Sequence, residues 1–219
     1  MLAKKILNFF SNLTIDSPLP KGVEYMNPYQ DKKTFEVCTS FYRKFYSDSR
    51  KRKIILGINP GRFGAGITGV PFTDPVKLEM LGITNSFAKK IELSANFIYT
   101  MIDGYGGPQK FYSNYYISAL SPLGFVKDGK NLNYYDIREL QEAVEPFMVD
   151  CLNQQLEFGI DRRTAFCLGE GDNFKYLTKL NTRFNFFDSI EPLSHPRFIM
   201  QYKRKKIDEY VDYYLKKLA

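Results

Sequence analysis

Apolar positions along the chain fall into two alternating patterns. Leu2, Ile6, Phe9, Phe10 and Leu13 recur at helical spacing and predict an amino-terminal docking helix, while Phe35, Cys38, Phe41, Tyr42 and Phe45 predict a second. Between these helices, Asp16 to Pro20 and Asn27-Pro28 punctuate a loop. Ile54 to Ile58 is a short continuous apolar run, bounded by charge on one side and Pro-Gly on the other, and reads as a strand buried on both faces. Tyr115–Leu120, Thr164–Leu168 and Phe186–Ile190 have the same character. A helix is predicted from an Asn133 cap through Ile137, Leu140, Val144, Met148, Cys151, Leu152 and Leu156, kinked or split at Pro146. Further helices are predicted over 173–180 and over 203–218, the last with Ile207, Val211, Tyr214 and Leu218 as its stripe. Strands alternating with helices give an α/β layer with a mainly parallel sheet. Ligands of such sheets sit beyond the carboxyl ends of the strands. The loops after Ile58, Leu120, Leu168 and Ile190 are therefore where chemistry is expected.

With 219 residues and 44% apolar content, one domain over 1–219 is expected, its residues 1–48 forming a helical part packed on the rest. One histidine and three well-separated cysteines exclude a thiolate zinc site or an iron–sulfur cluster within the chain. The cysteines read as free thiols of an intracellular, cytoplasmic protein, with no membrane span and no secretory leader. The 31 basic and 24 acidic residues leave a net charge of +7, compatible with a polyanionic partner.

The loop from Gly57 to Phe72 carries five glycines between 57 and 69, but no Lys-Ser/Thr pair for a phosphate loop and no dinucleotide spacing. Asn59 at the strand exit either closes an Asx-turn or presents its amide to a ligand. His195 lies in Leu193-Ser194-His195-Pro196-Arg197, at the same sheet edge. The acidic stretch Gly169 to Asp172 reads as a cap for the next helix, Asp103 to Gln109 as a flexible aromatic loop at a pocket mouth, and Arg50 to Lys53 as solvated surface.

The sixteen residues Gly57–Phe72, with G-x-N-P-G followed by T-G-V-P-F, together with His195-Pro196, resemble the two motifs of the uracil-DNA glycosylase superfamily. Phe111 to Asn114, Ser121-Pro122-Leu123 and Gly129 to Leu132 follow the single-strand-selective monofunctional (SMUG-type) branch in order and spacing. The resemblance covers roughly residues 50 to 200. It implies a three-layer α/β/α sandwich around a four-stranded, mainly parallel sheet. It also implies a monofunctional, cofactor- and metal-free DNA glycosylase that flips a damaged base from single- or double-stranded DNA, acting as a monomer. On this resemblance Asn59 orients the attacking water, and His195 donates to the O2 of the leaving base. Phe72 stacks on that base, and backbone N–H groups near Ile58 and Phe72 meet its carbonyls. Gly61 stands where stricter uracil enzymes carry a bulky side chain, which leaves room for 5-hydroxymethyluracil.

Two departures alter what the resemblance implies. Ala119 replaces the asparagine that reads the edge of uracil in SMUG-type enzymes, so recognition is left to backbone, Ser118 or water, or is relaxed toward xanthine or hypoxanthine. Arg197 follows His195-Pro196 where the family has serine. Arg197 is then a gap filler or phosphate contact, and Phe198, Ile199 and Met200 either unstack bases or pack as the start of the last helix. Lys203, Arg204, Lys205 and Lys206 are a candidate phosphate grip or a solvated helix face. The rival readings are a weak or inactive relative that binds DNA or a free base, and a nucleotide-binding enzyme of another class.

Overall fold

The computed structural model describes residues 1–219. In chain order its elements are α1 (Leu2–Ser11), β1 (Val23–Met26), α2 (Lys32–Phe45), β2 (Arg52–Gly57), α3 (Ala65–Thr68), α4 (Pro75–Met80), α5 (Leu93–Gly104) and α6 (Pro108–Asn114). They continue with β3 (Tyr115–Ala119), β4 (Gly124–Lys127), β5 (Lys130–Leu132), α7 (Arg138–Leu156), β6 (Ile160–Leu168), α8 (Asp172–Phe184), β7 (Ser189–Leu193), α9 (Pro196–Tyr202) and α10 (Ile207–Leu218).

Four strands form a wholly parallel sheet in the order β3-β2-β6-β7, with Ile55 opposite Ile117 on one side and Phe166 on the other. Parallel strands need crossovers that cover both faces. Alternation along β3 shows which helices do so. Tyr115 sends its hydroxyl to the carbonyl of Leu218 on α10, whereas Tyr116 donates to Gln155 Oε1 on α7 at 3.2 Å. Successive side chains on a strand face opposite ways, so α10 and α7 lie on opposite faces of the sheet. The predicted α/β/α layering is what the chain adopts. A single cluster of 55 buried residues runs from Leu2 to Leu218 through all these layers. α1 joins it through Ile6 and Phe10, and its first N–H groups donate to the carbonyls of Asp48 and Tyr46.

A second sheet, antiparallel and ordered β1-β4-β5, lies apart from the first. Its strands are three or four residues long, too short to show a period in the sequence. It presses on the β2 exit: a side chain on Gly124 would put its Cβ 2.5 Å from the carbonyl oxygen of Pro60. β5 then carries the chain past Asn59.

Several expected boundaries move. The fourth strand lies at Ser189–Leu193, not 186–190, because Phe186 and Phe187 are plugs in the core rather than ladder residues. Pro192, lacking an N–H, is tolerated because β7 has a neighbour on one side only. The Asn133 N–H instead closes a turn on the Asp136 carboxylate at 2.7 Å, and α7 starts at Arg138 and runs through Pro146 without interruption. The last helix starts at Ile207, after a separate α9 and a 3₁₀ turn over Arg204–Lys206. Residues 103–109 are the end of α5 and the start of α6, at the amino end of β3, and take no part in the pocket mouth.

Arg52 overturns the reading of 50–53 as solvated surface, for it is 1% exposed. All five of its N–H donors are used: on Tyr112 O, Arg50 O, Phe45 O and both carboxylate oxygens of Asp48, at 2.7 to 3.3 Å. Its guanidinium also lies 4.8 Å from the centre of the Tyr46 ring. A buried charge is tolerable when so completely paired.

Candidate active site

Gly57 ends β2, and the backbone then leaves the sheet with Ile58 and Asn59. Their loop is pinned from the side, since the N–H groups of Leu120 and Ser121 donate to the carbonyls of Gly57 and Ile58 at 2.9 and 3.1 Å. Asn59 is half-buried, and the two ends of its amide are held by the last residue of β5 and by the segment just after it. Nδ2 donates to Leu132 O at 3.0 Å, and Oδ1 accepts from Tyr134 N–H at 3.0 Å. These partners fix which end of the amide is oxygen. Oδ1 keeps one lone pair beyond the Tyr134 bond. Tyr134 is itself fixed, its hydroxyl donating to Asn173 Oδ1 at 2.8 Å while Asn173 Nδ2 donates to Leu168 O at the end of β6. The amide is thus tied through Tyr134 and Asn173 to the neighbouring strand.

The glycine-rich loop folds back through α3 and brings Phe72 over the strand exit. Phe72 holds φ +52, a left-handed conformation that is costly for an aromatic residue. Thr68 sustains it: the buried hydroxyl donates to Thr73 O at 2.6 Å and accepts from Val70 N–H at 3.2 Å, stapling the turn on either side. A Cβ on Gly57 would lie 3.0 Å from the Phe72 ring, so a side chain there would push the ring off that backbone by a few tenths of an ångström.

His195 caps α9, with Nδ1 accepting the Arg197 N–H at 3.1 Å. Nδ1 is therefore an acceptor, and the proton of the neutral ring is on Nε2. Burial lowers the imidazole pKa from 6.5 to about 4, and the nearby Arg197 charge adds to this. The ring centres of His195 and Phe72 are 6.2 Å apart.

These groups line one cavity of about 680 Å³, within the range of ligand sites. Ile58, Asn59, Gly61, Phe72, Ala119, His195, Arg197 and Phe198 all contribute to its wall. Ser118 does not, because strand alternation turns it toward α7, where its hydroxyl donates to Gln155 Oε1 at 2.5 Å. Ile199 is excluded from a surface role by complete burial in the core, and Met200 is half-buried against that core. Lys203, Arg204, Lys205 and Lys206 are exposed just past α9, Lys206 paired with Glu209 at 3.0 Å, and none lines the cavity. Glu170 and Asp172 do line it. They do not cap α8 through their side chains, and Glu170 accepts from Ser194 at 2.9 Å.

Several wall residues escaped the sequence reading. Tyr202 is 71% exposed and packs against Phe198 with the rings tilted, 5.5 Å between centres; their i,i+4 spacing on a helix was the available signal. Asn131 reaches the wall from β5, Tyr135 from the loop after it and Asn173 from the first turn of α8, approaches that no local pattern reveals. Glu92 carries a buried carboxyl whose pKa is raised by desolvation, with Ser94 and Arg197 opposing the rise and Asp74 adding to it. No three His, Cys, Asp or Glu side chains are grouped to hold a metal ion, and no helix is long and apolar enough to cross a membrane.

The family model of the Uracil DNA glycosylase superfamily matches residues 43–219, and the chain belongs to that superfamily. Among solved structures it is similar to the wild-type SMUG2 of Pedobacter heparinus, with 44% sequence identity and a TM-score of 0.96 over 98% of this chain and 95% of that one. No curated protein matches it.

Proposed function

We propose that this protein is a monofunctional DNA glycosylase of base-excision repair, hydrolysing the N-glycosidic bond of a uracil-type or other deaminated base flipped into the cavity. The observation that carries the reading is the convergence of Asn59 and His195, from separate crossovers, on one cavity walled by Phe72 and Ala119. The target bond is shielded in a stacked duplex, so the nucleotide must be extruded before reaction. Water held by the free lone pair of Asn59 Oδ1 adds to the anomeric carbon. The C–N bond breaks, its electron pair leaves with the base, and the proton of the water passes to solvent. An amide cannot accept that proton, so Asn59 acts by position. His195, neutral at pH 7, offers Nε2–H to the O2 that gains charge. Phe72, held rigid by its turn, stacks on the base.

Gly61 sets the room beside the 5-position. A Cβ there would sit 3.4 Å from Asn131 Nδ2, so the space is bounded by an amide and not by a bulky side chain, which supports acceptance of 5-hydroxymethyluracil. With Ala119 in the wall and Ser118 turned away, no side-chain amide from β3 reads the base. Discrimination then rests on backbone groups and water, a weaker filter than a dedicated polar pair.

The test is release of uracil from single- and double-stranded oligonucleotides, read as alkali-labile breaks, with Asn59→Ala and His195→Ala as controls. Breaks that depend on both residues are expected. If no deaminated base is released from any substrate while DNA still binds, the rival reading of a glycosylase-like binding protein, which draws on Ala119, takes its place.

A further inference from the structure

A second cavity of about 410 Å³ adjoins the first and shares Gly61, Glu92, Ser94, Asn131 and Arg197 with it. Its outer wall is unusual for a protein surface. Phe63, Ile91 and Leu93 are 48%, 63% and 41% exposed beside one another in it. Two cations attend the Phe63 ring: Arg62 with Cζ 5.1 Å and Lys90 with Nζ 5.2 Å from its centre. Neither they nor Arg197 has a carboxylate within 4 Å, and the one carboxylate in the groove, Glu92, is offset in part by the Arg197 charge. An exposed aromatic flanked by positive charge describes a place completed by a flat, anionic ligand.

We infer that this groove binds the nucleotide next to the extruded one, with Phe63 as the stacking platform for its base and Lys90 and Arg197 facing its phosphates. The inference rests on the larger cavity being the seat of the flipped base. Continuity through five shared residues places the neighbour in the same strand here. An aromatic face accepts any base, and cations supply the affinity that salt weakens. A protein partner would leave Lys90 and Arg197 without a carboxylate partner at an apolar contact, which interfaces disfavour.

The test is fluorescence anisotropy with thymine oligonucleotides that contain no cleavable base. One carries a single tetrahydrofuran abasic residue between thymines; the other carries three in a row, so that the neighbouring bases are missing. The wild-type protein is expected to bind the first about ten-fold more tightly, the scale of one base–aromatic stack. Phe63→Ala should erase that preference, and Phe63→Tyr should keep it. Replacing both Lys90 and Arg197 by Gln should reduce the slope of log K against log salt by about 1.4, two single-strand phosphate contacts. A Phe63→Ala protein that retains the wild-type preference, or a wild type with none, overturns the platform. Uracil release measured in parallel separates the two readings. Release with an unchanged preference removes the platform and leaves the hydrolysis; a lost preference without any release does the reverse.

Discussion

Arg52 and Asn59 stand seven positions apart at the two ends of one strand, the first buried and the second half-buried, and the difference between them separates support from chemistry. Arg52, at the amino end, spends all five donors on protein oxygens. Asn59, past the carboxyl end, is held at both ends of its amide but keeps an oxygen lone pair beside a cavity. His195 repeats the second pattern, with Nδ1 engaged and Nε2 without a protein partner. A buried polar group with every valence used is part of the frame. One that is clamped yet keeps a valence facing open space is poised for a ligand.

The largest effect should come from the clamped groups. Asn59→Ala and His195→Ala should each lower single-turnover base release by roughly 10²- to 10⁴-fold. Both should lose only about 1 to 2 kcal/mol of stability, the scale of the hydrogen bonds removed. Arg52→Met should do the opposite, leaving the catalytic rate per folded molecule intact while costing about 3 kcal/mol in urea unfolding, the low end for a broken buried pair because Asp48 is 40% exposed. A large rate loss in Arg52→Met without a loss of stability would erase the distinction.

Tyr134→Phe sharpens it. The substitution keeps the backbone N–H on Asn59 but removes the bond to Asn173, so kcat should fall about ten-fold with KM unchanged, and stability should fall by about 1 kcal/mol. Gly61→Ala should be the mildest, leaving uracil release near wild type and lowering 5-hydroxymethyluracil release about ten-fold, one methyl in a shaped pocket. Equal effects on both bases would mean that Gly61 does not border the 5-position.

The sequence disclosed this frame unevenly. β2, β3 and β6 were readable because each is a dense apolar run bounded by charge or glycine, and Asn59 and His195 were readable because they follow such runs at the ligand edge. β1, β4 and β5 were not, being too short to carry a period, although β5 delivers the carbonyl that holds Asn59. Phe186 and Phe187 mimicked a strand because core plugs and buried strand residues share one composition. Ser118 was assigned to the base and Ile199 to DNA by proximity along the chain, whereas alternation on β3 and the inward stripe of α9 turn them away. Arg52 was misjudged because a charged run gives no sign that one member finds five acceptors.

His195 also sets a pH dependence with a definite sign. Its folded pKa of about 4 lies below the value of 6.5 for a free imidazole, so the unfolded chain binds the extra proton over that interval. The stability it contributes is complete above about 6.5 and is lost as pH falls toward 4. Because the chain has one histidine, nitrogen NMR reads this group without assignment, and the neutral Nε2–H form should persist through pH 5.5. Protonation would set a new Nδ1–H against the Arg197 N–H, breaking the cap that aims the ring.

The most direct measurement is single-turnover uracil release from a single-stranded oligonucleotide between pH 4 and 8, for wild type and His195→Ala. The expected wild-type profile is level from about 5.5 upward, shows no inflection near 6.5, and drops toward the His195 pKa of about 4; the variant stays far below it throughout. Absence of release at every pH, or a variant that matches wild type, would contradict the assignment of this cavity to glycosidic hydrolysis.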